Sequence, residues 1–99
     1  MTIDKYDIVD MTALRDNLIL LLIIESREWP KIKNATTKLF IKISNYKNYI
    51  KSNEFRKRYK TQKIKIILNS KYNPPQVIKN MLKKEGVILS VKHSKLKTL

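Results

Sequence analysis

Ninety-nine residues amount to one domain by the usual size prior, and a chain of this length buries only about 60 to 65% of the surface its unfolded form exposes. Eighteen Lys and four Arg against eight acids give a formal net charge of +14, which a neutral small-molecule ligand would not account for. The absence of Cys removes disulfides, thiolate metal sites and cysteine nucleophiles together, and suits a reducing interior or a hot one.

The charge is unevenly spread. Residues 1–28 hold six acids (Asp4, Asp7, Asp10, Asp16, Glu25, Glu28) against Lys5, Arg15 and Arg27, whereas the remainder holds nineteen bases against Glu54 and Glu85. The acidic third can therefore neutralise part of the basic remainder, within the fold or across a dimer. The amino terminus lacks the positive n-region of a secretory signal, so no export is implied. The longest apolar run, Leu18 to Ile24, is far short of the roughly 20 residues that cross a bilayer, so no membrane span is expected. With one glycine and no low-complexity segment or detectable repeat, residues 1–99 read as a single domain.

In chain order, Asp10 or Thr12 can cap a first helix over about 11–28, carrying Leu14, Leu18, Leu21, Leu22 and Glu25 and stopped by Pro30. Between Leu18 and Ile24 that helix is apolar on every side and must be covered on every side, which a homodimer interface through Leu18, Leu21 and Ile24 would achieve. The competing reading is a buried strand, since Ile19, Ile23 and Ile24 are β-branched. Pro30 suits the first position of a second helix over about 31–50. There Ile32, Thr36, Leu39, Ile43, Tyr46 and Ile50 recur at spacings of four and three, a narrow seam for packing on another helix.

Ser52 or Asn53 can cap a third helix over 53–60. Residues 63–68 alternate as a half-buried strand with Lys63 and Lys65 outside. Asn69 to Pro75 reads as a turn, followed by a helix over 74–85 that Gly86 ends and a last strand over 87–92. The fold class predicted is α+β, with a helical amino-terminal half followed by strand, helix and strand.

Tyr46 to Lys65 concentrates eight bases with one acid and interleaves Tyr46, Tyr49, Phe55 and Tyr59. Bases neutralise phosphates and release counter-ions, and aromatic faces stack on unpaired bases, so the segment has the composition of a nucleic-acid surface. Lys51, Arg56, Lys57, Arg58, Lys60, Lys63 and Lys65 are the candidate contacts, with Tyr49 and Tyr59 as stacking candidates. The competing reading makes Tyr46 and Phe55 core and the lysines an ordinary solvated face. Lysine offers a hydrated point charge rather than the forked donors with which arginine reads guanine, so backbone contact with little sequence preference is expected.

Catalysis finds little support. The lone histidine, His93, has no cysteine or acid near it in sequence, and the basic two-thirds offers only Glu54 and Glu85 to a metal-dependent nuclease. Asp4, Asp7 and Asp10 have helical spacing that could hold a cation, against the plainer reading of an acidic start. No enzyme activity, metal or cofactor is expected. The alternative to nucleic-acid binding is a dimeric protein-interaction or structural module whose charge serves solubility.

The carboxyl end, MLKKEGVILSVKHSKLKTL, gives a helix, a glycine, a strand and a basic turn, and resembles the end of a winged helix-turn-helix domain. In that family such a helix enters the major groove and the following hairpin touches the backbone. The strand predicted at Lys63 to Leu68 departs from that family's order, so no recognition role carries over to Lys79, Lys83 or Lys84. Taken whole, the Lys-, Ile-, Asn- and Tyr-rich, Cys-free habit resembles the small uncharacterised basic proteins of lipothrixviruses, filamentous viruses of hyperthermophilic archaea. That resemblance implies a host-cytoplasm or virion setting and tolerance of heat and acid.

Overall fold

The computed structural model describes residues 2–59 and 63–91. Its elements in chain order are β1 (Met11–Arg15), β2 (Leu18–Glu25), a 3-10 turn (Trp29–Lys31), α1 (Ala35–Lys51), α2 (Asn53–Arg58), β3 (Lys63–Ser70), α3 (Gln76–Glu85) and β4 (Ile88–Val91). The fold is mixed α+β, as predicted, but the amino-terminal half is not helical, because strands come first. The expected helix over 11–28 is a hairpin with a two-residue turn, Asp16–Asn17, in which Asp16 adopts φ 54°. Asp tolerates that left-handed conformation better than most residues, and such turns match the twist of the strands they join.

The four strands form one sheet in the order β1-β2-β3-β4. β1 is antiparallel to β2, while β2, β3 and β4 run parallel, joined by crossovers through α1, α2 and α3. The two-residue period of β2 explains why its sequence misleads. Ile19, Leu21 and Ile23 point to the helices and are fully buried, whereas Leu18, Leu20, Leu22 and Ile24 point to the other face and stay partly exposed. Two apolar faces alternating along a strand and a helix apolar all round look alike in sequence.

The stripe expected on the second helix is largely right in position and different in partner. Leu39, Ile43 and Tyr46 are buried with Ile32, Ile50 is half-buried and Thr36 is exposed. They share one core with Ile19, Leu21, Ile23, Ile66, Leu68, Ile78 and Leu82, so the seam faces the sheet. The helix begins later than 31 because Pro30 sits in the 3-10 turn and Asn34, at φ 56°, interrupts the chain before Ala35. Ser52 caps α2 as expected, its hydroxyl accepting from the Phe55 N–H at 3.2 Å. α3 starts at Gln76, two residues after the predicted Pro74, and Gly86 ends it at φ 73°, where its N–H reaches the Leu82 and Lys83 carbonyls. The strand expected over 87–92 is described over Ile88–Val91; Lys92, His93 and the basic end lie outside the described residues.

Because the helices pack on one side, the register lays out the opposite, open face in rows. Met11, Leu22, Ile67 and Ile88 form one row; Ala13, Leu20 and Lys65 the next; Arg15, Leu18 and Lys63 the third. Ile24, Asn69 and Ser90 make up the far row.

Candidate nucleic-acid interface

Parallel strands with helical crossovers give the domain two unlike ends. At the end where β2 and β3 finish, several acids and bases pair with one another. Glu25 is buried and accepts the Ile3 N–H at 3.0 Å and the Arg27 guanidinium at 2.8 and 2.9 Å. Burial pushes its pKa up, but the Arg27 side chain and the Ile3 and Arg27 N–H groups outweigh that and hold it below the ordinary value. Arg27 also reaches Asp4, whose carboxyl is held low by Arg27 and by Lys38, 3.0 Å away. Lys42 pairs with Asp10 at 2.7 Å and also donates to the Lys5 carbonyl at 2.8 Å. The acidic third thus neutralises its share of bases within the fold, one of the two arrangements anticipated. Asp4 and Asp10 are spent on these cations and exposed Asp7 joins no ion pair, so the helically spaced trio does not converge. Among the described residues no three His, Asp or Glu side chains gather closely enough to hold a metal ion.

The opposite end is rich in bases, and among the described residues one ion pair, Lys47 with Glu85, lies there. α1 and α3 run antiparallel to the strands, so their carboxyl ends meet there, tied by Lys47 Nζ to Glu85 Oε1 at 2.7 Å. Lys51 closes α1, Arg56, Lys57 and Arg58 close α2, and Lys83 and Lys84 lie in the last turn of α3. Cations there complement the negative end of each helix dipole, which is a structural reason for some of them. It does not extend to Lys63 and Lys65, which lie on a strand. All six described candidates, Lys51, Arg56, Lys57, Arg58, Lys63 and Lys65, are exposed, and none joins an ion pair among the described residues. The seventh, Lys60, lies outside the described residues. A groove of about 600 Å³ runs along this end between Lys47, Ile50, Lys63, Lys65, Gly86 and Ile88.

The aromatic candidates are arranged differently from a stacking platform. Tyr49 and Tyr59 both pack on buried Phe55, at centroid separations of 5.0 and 4.8 Å, and each is half-buried. Part of each ring is therefore taken up inside the domain. Tyr46 is core, its hydroxyl donating to the Leu22 carbonyl at 2.6 Å and accepting from the Asp10 N–H at 2.8 Å. Of the interface candidates, Leu21 is fully buried on the helix side and is corrected to a core residue, while Leu18 and Ile24 lie on the open face.

One cation escaped the sequence reading. Arg15 belongs to the acidic third by position, yet the hairpin sets it opposite Leu18, and β3 sets Lys63 opposite Leu18 on the other side. Arg15 and Lys63 thus flank one row at the basic end. The turn signal Asp16-Asn17 would have revealed this, had it been read as a hairpin. The segment over 76–91 is a crossover helix leading into a strand parallel to β3, so within the described residues it contains no antiparallel hairpin.

A mixed sheet covered by helices on one side, with ion pairs concentrated at one end and unpaired bases at the other, defines the class of domain. The chain belongs to a family of unknown function, DUF6572, whose family model matches residues 1–98. No curated protein and no solved structure matches it. Among the described residues no helix is long and apolar enough to cross a membrane.

Proposed function

We propose that this protein binds nucleic acid through its basic end, by contacts to the phosphate backbone with little sequence preference. The observation that carries this reading is the segregation of charge. The described acids that form ion pairs do so with Arg27, Lys31, Lys38, Lys42 and Lys47; Lys51, Arg56, Lys57, Arg58, Lys63 and Lys65 join none among the described residues and gather toward one end, while Lys5, Lys33 and Lys71, also outside these ion pairs, are spread over the other. Such a cluster repels itself unless a polyanion or counter-ions sit against it. Arg15 extends the same surface, and Lys60 belongs to it by sequence.

Two further features favour backbone contact over base reading. Lysines outnumber arginines, so bidentate recognition of guanine has few donors, and Tyr49 and Tyr59 are partly engaged by Phe55. A viral setting, in the host cytoplasm or the virion, is the context to which the resemblance in composition points. The test is a fluorescence-anisotropy titration of duplex DNA, single-stranded DNA and structured RNA. Six phosphate contacts would cost about a thousandfold in affinity between roughly 50 and 200 mM salt. Binding that ignores salt, or none at the lower salt, would overturn the reading.

A further inference from the structure

We infer that two copies of this chain pack open sheet face to open sheet face, with their strands antiparallel, so that the two basic ends point away from each other. The face in question carries Leu18, Leu20, Leu22 and Ile24 along β2, continued by Met11 on β1 and Ile67 on β3. None of these belongs to the core or packs against it. Met11 and Ile88, at its two margins, are 48% and 43% exposed. A central strand apolar on both faces has the composition of a strand covered on both faces, and the described helices cover one. This inference shares Arg15, Lys63 and Lys65, at the margin of the face, with the nucleic-acid reading, and it is tested without nucleic acid.

The chemistry of the face selects a second copy as the occupant. Among the described residues it has no aromatic side chain on which a base could stack and no acid to receive a basic partner. Its cations, Arg15, Lys63 and Lys65, are confined to two rows at one end. Packing with strands parallel would set these six cations against one another. Packing with strands antiparallel lays the Arg15, Leu18 and Lys63 row over the other copy's Ile24, Asn69 and Ser90, and the Ala13, Leu20 and Lys65 row over its Met11, Leu22, Ile67 and Ile88. Lys63 and Asn69 are six strand positions apart, so the two Lys63 rows separate by roughly 20 Å, beyond the screening length of about 8 to 10 Å at ordinary ionic strength, while the two Lys65 rows stand about two strand positions apart. Along β2, Leu18, Leu20, Leu22 and Ile24 then meet the same four side chains in reverse order, which is the self-complementarity a two-fold interface requires.

The area is also of the right order. Strands of five, eight, eight and four residues, about 4.8 Å apart, project roughly 400 Å², and interdigitating side chains raise the accessible area towards the roughly 800 Å² per partner of a standard interface. Face-to-face sheets pack about 10 Å apart with their strands within roughly 30° of alignment.

Sedimentation equilibrium of the full chain at micromolar concentration is the deciding experiment, with Leu22→Glu and Ile88→Glu as face variants and Val77→Glu, 58% exposed on α3, as a charge-matched control. A dimer is expected for the wild type and for Val77→Glu. Each face variant should raise the dissociation constant about 100-fold or more, because it buries an unpaired carboxylate from each copy. Ile88→Glu decides the matter should Leu22→Glu fail to fold, since Ile88 is already largely solvent-exposed. The chain has no cysteine, so spin labels on Lys63→Cys report orientation: about 20 Å or more for antiparallel strands, near 10 Å for parallel ones. A monomeric wild type, face variants that associate as tightly as the control, or the shorter label distance would overturn the inference.

Discussion

Lys42 sets its ammonium 2.7 Å from an Asp10 carboxylate oxygen, and neither side chain is more than 3% exposed. The other Asp10 oxygen accepts the Ile24 N–H at 2.8 Å, continuing β2's hydrogen bonding past the end of β1. Lys42 in turn holds the Lys5 carbonyl, fastening the amino-terminal segment over α1. A buried pair of this kind contributes less by its attraction than its disruption costs. Lys42→Met should destabilise the fold by about 3 to 5 kcal/mol by leaving the Asp10 carboxylate buried alone, and adding Asp10→Asn should recover part of the loss. Urea denaturation of the two variants checks this.

Tyr46 works beside the same pair. Its hydroxyl both donates to the Leu22 carbonyl and accepts the Asp10 N–H, and burial pushes its pKa up, so it remains a neutral phenol. Tyr46→Phe keeps the ring and removes both bonds. The expected cost is about 1 to 3 kcal/mol, the penalty for stranding buried polar groups, read as a lower denaturation midpoint at unchanged slope.

Glu25 gives the stability a direction in pH. Its folded pKa is held below the ordinary 4.5 although burial opposes this, because the Arg27 side chain and two N–H groups bond the ionised form. The unfolded chain therefore takes up this proton first as pH falls. The stability it contributes is fully present above about pH 5.5 and is lost as pH drops through 4.5 towards the folded value. Asp4, lowered by Arg27 and Lys38, acts in the same direction. Thermal unfolding followed against pH should show a plateau and then a decline on the acid side, and Glu25→Gln should lower the plateau and flatten the decline.

For the basic end, Arg56→Gln combined with Arg58→Gln should leave the fold intact, since both side chains are exposed and unpaired. The logarithmic salt slope of nucleic-acid affinity should shrink by about 2 if each arginine meets one duplex phosphate. Anisotropy titrations of the variant across a salt series measure it, and an unchanged slope would place the contacts elsewhere.

How much of this was legible beforehand depends on which periodicity the residues could advertise. Leu39, Ile43 and Tyr46 repeat at three and four because one side of α1 meets the sheet and the other meets water. Lys63 and Lys65 alternate with Ile64 and Ile66 for the corresponding reason in a strand. β2 could not advertise its period, since Leu20 and Leu22 are as apolar as Leu21 and only the third dimension separates them. The same blindness hid Arg15. Charge summed along the chain assigns it to the acidic third, whereas hairpin register, a non-local property, brings it level with Lys63. The cations of α2 were legible because they sit together in sequence and in space alike.

The parallel pairing of β2 with β3 has a consequence for how the chain is made. Leu18 to Glu25 meets Lys63 to Ser70 only after α1 and α2 have been synthesised in between. Closing that long loop is the slow, entropically costly step, whereas the Asp16–Asn17 hairpin closes locally and at once. During translation, β1 is therefore the only strand available to shield one edge of Leu-Ile-Leu-Leu-Leu-Ile-Ile, and the remaining edge stays open until residue 70 has left the ribosome. Asp16 and Glu25, the nearest charges on either side of that run, are placed where charged residues oppose association of exposed apolar strands.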